Sequence, residues 1–241
     1  MVNFLFEKLD TVDSTNDCLT REVESGKVSK DKILIARQQT NGHGSNGRSF
    51  VSDNNVGIYF TLLHFYDDDL ELKFITQKAA VAVYQVFKRT FDIELKIKWV
   101  NDLYYNDKKV CGILCRNLIK HKAVIIGVGI DLFENKSISD EIKDIAGYIF
   151  KDKKDLIAKL NSNTKLSKES CTYKNIFTDF NSIEIDGIDI DDSMLWEPDQ
   201  IVIDIVQYIY SLIKVEGLPQ LYIEKNIIKD EKVYEDCNLE C

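Results

Sequence analysis

Residues 98–114 read Lys-Trp-Val-Asn-Asp-Leu-Tyr-Tyr-Asn-Asp-Lys-Lys-Val-Cys-Gly-Ile-Leu, and the fold is decided here. The stretch opens on the end of an alternating run. Leu95, Ile97 and Trp99 point one way, and Glu94, Lys96 and Lys98 point the other, which is the period of a strand with one buried face. Residues 103–105 and 110–115 then read as two short strands joined across Asn106 and Asp107, a pair of residue types that make tight hairpin turns. A strand feeding a hairpin gives antiparallel neighbours in one sheet.

Outward from this block, apolar runs alternate with punctuation. Toward the N-terminus, residues 4–9, 32–38 and 56–65 read as strands. Asp13, Ser14, Thr15 and Asn16 precede a helical stretch to about residue 24 and supply cap-forming side chains, and Gly26 fits its stop. Residues 70–90 give the clearest helix: Leu72, Ile75, Ala79, Ala82 and Val86 recur at steps of three and four. Toward the C-terminus, 124–131 reads as a strand holding Gly127 and Gly129, and helices are expected over 140–148, 153–160 and 200–215. Residues 161–192 are polar and irregular and read as an insertion, and the chain from 218 onward reads as a short helix at most. Strands first and helices afterwards imply an α+β fold: a mixed sheet with helices packed on one face and the other face left for a ligand.

Composition narrows the function. A formal net charge of -9 over 241 residues argues against general binding of DNA or RNA, which needs a basic surface. No apolar run is long enough to span a membrane, and the first residues lack the basic and apolar pattern of a secretory signal. Both readings point to the cytoplasm. Three histidines, and cysteines at 18, 111, 115, 171, 237 and 241, lack metal-ligand spacing, so the cysteines read as free thiols and no metal site is expected.

Four short segments carry chemistry, and each has a plain structural reading too. Ser14, Thr15 and Asn16 are a helix cap, and also a cluster of hydroxyl and amide groups suited to a neutral polar ligand. Residues 39–55 form a long polar loop in which Gly42, Gly44 and Gly47 let backbone N–H groups approach an anion and Arg48 adds a cation. The loop is neither a Walker A sequence nor a dinucleotide fingerprint. Lys98 is a solvated strand lysine or a cation for a transferring phosphoryl group. Gly127 and Gly129 are packing glycines, or a strand end against which a ligand lies.

The order and spacing of the four together resemble the catalytic domain of biotin–protein ligases, closely over 9–131 and weakly to about 215, with 98–114 the most specific block. The resemblance implies the sheet of the biotin/lipoate ligase fold, which is class II aminoacyl-tRNA-synthetase-like. It implies a catalytic domain over 1–215; two parts common in the family are not expected here, since there is no room before Asp13 for an N-terminal DNA-binding domain and the tail over 216–241 reads as too short and helical for a full SH3-like barrel. It implies ATP and biotin as substrates with Mg2+, a biotin-carrier domain of a carboxylase as acceptor, and no DNA or membrane partner, with a homodimer left open. By the resemblance Ser14, Thr15, Asn16, Gln39, Gly42, His43, Gly44, Ser45, Gly112 and Gly129 bind biotin. Arg48, Phe50, Asn101 and Asp131 face ATP, and Lys98 touches both the biotin carboxylate and the α-phosphate. Lys98 and Arg48 would be catalytic.

This chain also departs from the family pattern. Where that pattern has two arginines in the glycine loop it has His43 and Ser45, and it has Phe50 for a tryptophan, Val100 for a proline and Asp131 for an asparagine. A lipoate–protein ligase shares the fold and chemistry but would carry an arginine pair and a glycine run, both absent here. A biotin-binding protein without catalysis is the other alternative, favoured by the missing arginines and opposed by Gln39 and Lys98.

Overall fold

The computed structural model describes residues 4–67, 72–162 and 198–227. Its centre is one sheet of seven strands, β1 (Leu5–Val12), β2 (Lys32–Gln39), β3 (Gly57–Phe65), β4 (Lys96–Lys98), β5 (Asp102–Tyr105), β6 (Lys108–Leu118) and β7 (Ala123–Asp131). They lie in the order β1-β2-β3-β7-β6-β5-β4. Only β1 and β2 run parallel, and every other neighbouring pair is antiparallel, so the sheet is mixed. The β5–β6 turn is the one the sequence asks for: Asn106 and Asp107 both take positive φ, at 49° and 60°, the conformation that lets a two-residue hairpin follow the strand twist.

Strand alternation sorts the apolar side chains into two cores. Ile33 and Ile35 of β2, Ile58, Phe60 and Leu62 of β3, and Ile126, Val128 and Ile130 of β7 point to one face. That face is covered by α2 (Ile75–Phe91), α3 (Lys153–Ser162), α4 (Pro198–Ile213) and α5 (Gln220–Lys225), which bury their stripes against it. Each fully buried large aliphatic side chain contributes roughly 1.5–3 kcal/mol, so this layer dominates stability. Leu34, Leu63, Ala123 and Ile125 point to the other face and meet Leu19 and Val23 of α1 (Thr15–Glu24). The second face is therefore half covered. α1 is the crossover between the two parallel strands and leaves only the ground beside its N-terminus for a ligand.

The helix expected over 140–148 does not form. The segment makes single turns, with Ala146 N donating to Ile142 O, and then runs alongside β6. Lys109 N donates to Ile145 O at 2.8 Å and Gly147 N to Lys109 O at 2.7 Å, so the segment spends its backbone groups on the sheet. Apolar spacing alone could not reveal that competing partner. The 70–90 helix begins at Ile75, and residues 70 and 71 lie outside the described chain. Most of the expected insertion also lies outside the described residues. At the far end, α5 carries the chain to the edge strand, where Ile227 N donates to Ile97 O at 2.8 Å.

Candidate active site

Cross-strand register gathers glycines beside α1. Gly112 of β6 pairs with Gly129 of β7, while Gly127, two residues back on the same face, pairs with Leu114 and with Thr61 of β3. Asn16 needs that missing side chain. A Cβ on Gly127 would stand 2.5 Å from Asn16 Nδ2 and closer still to Oδ1.

Ser14 caps α1, and Thr15 and Asn16 fill its first turn with all three side chains buried. Gln39, at the end of β2, accepts from Thr15 N at 2.8 Å through Oε1, and Thr15 Oγ1 also donates to Oε1 at 3.0 Å. Thr61 Oγ1 donates to Asn16 Oδ1 at 2.6 Å and lies 2.8 Å from Thr15 Oγ1, and Asn16 Nδ2 donates to Leu114 O at 3.2 Å. These bonds fix the side chains without exhausting them. Ser14 Oγ accepts only a long contact from Asp17 N at 3.4 Å and keeps its proton, and the Asn16 amide keeps a second hydrogen. The cluster presents neutral donors and acceptors, already oriented, to a cleft beside it.

The glycine loop closes the cleft as a hairpin. Phe50 N donates to Gly42 O at 2.8 Å, Gly44 N to Arg48 O at 2.7 Å, and the tip turns through Ser45–Gly47. This swings the Phe50 ring onto the glycines: a Cβ on Gly129 would meet it at 2.6 Å and one on Gly112 at 3.1 Å. About 40 Å³ of room is left, walled by Ser14, Thr15, Asn16, Gln39, His43, Gly44, Ser45, Phe50, Asn101, Gly112 and Gly129 among the expected residues. Phe60, Lys109, Ile113, Leu114, Gly127 and Val128 complete the wall. Small-molecule pockets hold on the order of 300–1,000 Å³, so a ligand of more than a few atoms requires Phe50 to move.

Four expected residues stand apart from the wall. Gly42 lies beneath the hairpin, where a Cβ would strike Phe50 O and Ser52 Oγ. Arg48 is exposed at the loop tip. Lys98, on the cleft face of β4 opposite Asp102, turns its ammonium onto Tyr104, 3.4 Å from the hydroxyl and 5.2 Å from the ring centre. Asp131 follows Gly129 by one strand period at the end of β7. The cation that does line the cleft is Lys109, 2.7 Å from Asp102 Oδ1 as an ion pair and with its backbone held on both sides by residues 145–147. Lys109 belongs to the Lys-x-x-Gly-Ile-Leu run of the decisive block, so its signal was present. Thr61 had no signal beyond strand alternation.

Burial pushes the Asp131 carboxyl from 3.8 up to about 7, against the pull of Lys109. A folded-state value above the unfolded one means the native protein holds this proton longer. Stability should therefore fall as pH rises from about 4 to about 7 and stay level above. Asp131→Asn is expected to remove that slope, adding on the order of 2 kcal/mol at pH 8 and almost nothing at pH 4. Denaturant unfolding at the two pH values checks this, and equal effects at both would refute it.

The profile of the "Biotin/lipoate A/B protein ligase family" matches residues 9–131, which takes in the second half of β1, all of β2 to β7 and the whole cleft. The chain belongs to this family. Within it, the "Bifunctional ligase/repressor BirA" of Bacillus spizizenii is 33% identical over 142 residues, covering 57% of this chain and 43% of that protein. "Biotin--protein ligase 1, chloroplastic" of Arabidopsis thaliana is 29% identical over 125 residues, covering 49% of this chain and 33% of that one. The chain thus aligns with less than half the length of the curated relatives it matches. Among solved structures, a biotin protein ligase of Aquifex aeolicus in complex with biotin and ATP superposes with a TM-score of 0.57 at 23% identity, over 93% of this chain and 75% of that one. At that identity the likeness shows the fold, and this family's fold is the mixed sheet with its helical layer.

Proposed function

We propose that this chain joins biotin to a lysine ε-amine of a carrier protein, at the expense of ATP and by way of biotinyl-adenylate. The observation that carries the reading is the layout of the cleft. A neutral cluster of the buried Ser14, Thr15 and Asn16 with the half-buried Gln39 stands at Gly127, and one strand period farther along, at Gly112 and Gly129, stands Lys109. A neutral ureido ring suits the first position and a carboxylate at the end of an alkyl chain suits the second, with the glycines flooring the path between. The names of the Arabidopsis and Aquifex relatives support biotin over lipoate.

In this reading the biotin carboxylate attacks the α-phosphate of ATP, and pyrophosphate leaves. The acceptor amine then attacks the acyl carbon of the mixed anhydride, and AMP leaves. The protein supplies position, charge and exclusion of water. Lys109 takes the role that the family resemblance assigned to Lys98, because Lys109 lines the cleft. Arg48, Asn101 and Asp131 lie toward the nucleotide, and His43, Gly44, Ser45 and Phe50 form the cover that opens and closes. Among the described residues no group of three or more His, Cys, Asp or Glu could hold a metal ion, so Mg2+ would come with the nucleotide's phosphates, and no step is assigned to it. Residues 1–215 form the catalytic unit, its acceptor is the biotin-carrier domain of a carboxylase, and the reaction belongs in the cytoplasm. Among the described residues β1 leaves a sheet edge through which a second copy would pair.

Pyrophosphate exchange into ATP tests the reading. Exchange that requires biotin and is not supported by lipoate is the expected result, and none from folded protein would overturn it. Retention of the adenylate should be weak, because Ser45 lines the cleft without a charge. Ser45→Arg is expected to slow release of biotinyl-adenylate by about three- to tenfold, the effect of one added charge-assisted contact at a partly solvated site. An unchanged release rate would exclude the missing arginine as the cause.

A further inference from the structure

We propose that His43 positions the loop over the cleft through a bridge to Asp17, and that this bridge sets how often the loop opens. His43 stands in the first strand of the loop hairpin, paired across it with Ser49. Its side chain reaches α1, where Nε2 lies 2.8 Å from Asp17 Oδ2, and the same nitrogen lies 3.3 Å from Asn41 Nδ2 of the loop. Asp17 is itself fixed from the sheet: Arg116 Nη1 of β6 donates to Asp17 Oδ1 at 3.0 Å and to Thr20 Oγ1 at 2.9 Å. One carboxylate thus ties three elements together, with one oxygen for the loop and the other for the sheet. All three side chains are partly buried, His43 and Asp17 at 35% and 26% exposed and Arg116 at 37%. That shields the pair more than an open surface would.

Backbone bonds hold the base of the loop, Thr40 N donating to Val12 O and Asn41 N to Asp13 O, and beyond that base two side chains of different kinds hold it down. Phe50 packs on Gly112 and Gly129, the place a ligand must take. A ligand that displaces Phe50 removes that anchor, and the His43–Asp17 bridge is then the side-chain tie that still holds the loop to α1. The same bridge explains how a chain with histidine at this position closes its cleft: the side chain is spent on the loop's own placement.

The ligand half of this inference rests on reading the cleft as a biotin site, but the loop half does not, and the first test addresses the loop alone. Arg48 is exposed at the loop tip, so trypsin cleavage after it, followed as appearance of the 1–48 fragment on the intact chain, reports loop opening without any ligand. His43→Ala should raise the rate of that cleavage about three- to tenfold, while the unfolding midpoint and cleavage at other sites stay close to the parent's. His43→Arg, whose guanidinium N–H groups can donate to Asp17 in the same place, should restore the parent rate. Asp17→Asn should match His43→Ala, and the double variant should add nothing to either. If His43→Ala cleaves at the parent rate, or if the double variant's effect is the product of the two single ones, the bridge does not hold the loop. A second measurement, dissociation of biotinyl-adenylate, should quicken in His43→Ala by the same factor. Failure to bind biotin with the proteolysis result intact would overturn the function and leave the loop tie standing.

Discussion

Lys109→Ala is expected to lower biotin-dependent pyrophosphate exchange by about 10²–10³-fold, the scale of losing one charged stabiliser of a transition state in an enclosed site. The same change at Lys98 should cost less than about threefold, the scale of losing a solvated surface charge. The distinction comes from where the two ammonium groups sit: Lys109 lines the cleft beside Asp102, and Lys98 lies over Tyr104 outside its wall. Lys109→Ala alone would also leave the Asp102 carboxylate without its counter-charge, costing on the order of 1–3 kcal/mol of stability. The control is the double variant Lys109→Ala/Asp102→Asn, which should recover that stability and leave exchange as low as before. Equal losses at Lys98 and Lys109 would contradict the cleft's assignment.

Gly127→Ala should reduce biotin affinity about ten- to a hundredfold, by displacing the Asn16 side chain and with it the neutral cluster. The new methyl would occupy the space of the Asn16 amide, which is held at Oδ1 by Thr61 and at Nδ2 by Leu114 O and cannot rotate away without breaking both. The fold should lose about 1–3 kcal/mol from overpacking and from the unpaired Thr61 hydroxyl. Adding Asn16→Ala should relieve the clash and return part of the stability, while affinity stays low. Calorimetric titration with biotin beside thermal unfolding separates the two effects. Parent-like affinity in Gly127→Ala would show that the glycine is not there to make room for Asn16.

Both variants concern residues on which sequence and structure contributed differently. The strands β2, β3 and β7 were legible as short apolar runs, because each is buried on both faces of the sheet, and β4 by its alternation. The cap at Ser14, the β5–β6 turn and the α2 stripe were legible for the same local reason. The 140–148 segment was misread because its apolar spacing fits a helix, while its backbone finds better partners on Lys109. No local signal reports a hydrogen bond to a residue some 36 positions away, and tertiary context overrides propensity there.

The site divides along the same line. Sequence alone determined which residue types are present and in what order: the capped helix start, the glycine loop with one arginine left, the block from Lys98 to Leu114, and the paired strand glycines. It also showed that His43, Ser45 and Asp131 replace other residues of the family pattern. Only the tertiary structure showed that, of two lysines on the same sheet face, Lys109 reaches the cleft wall beside Gly112 while the ammonium of Lys98 lies over Tyr104. That placement depends on the irregular register within the β5–β6 hairpin, which is local, and on the segment at 145–147 that pins Lys109, which is a long-range pairing. Only it showed that Phe50 rests on Gly112 and Gly129, that Gly127 makes room for Asn16, and that His43, in the cleft wall, reaches Asp17. The physical reason is distance along the chain. Period and capping are set by neighbours within a few residues, whereas each of these contacts joins segments 26 to more than 100 positions apart and forms only once the sheet has brought them together.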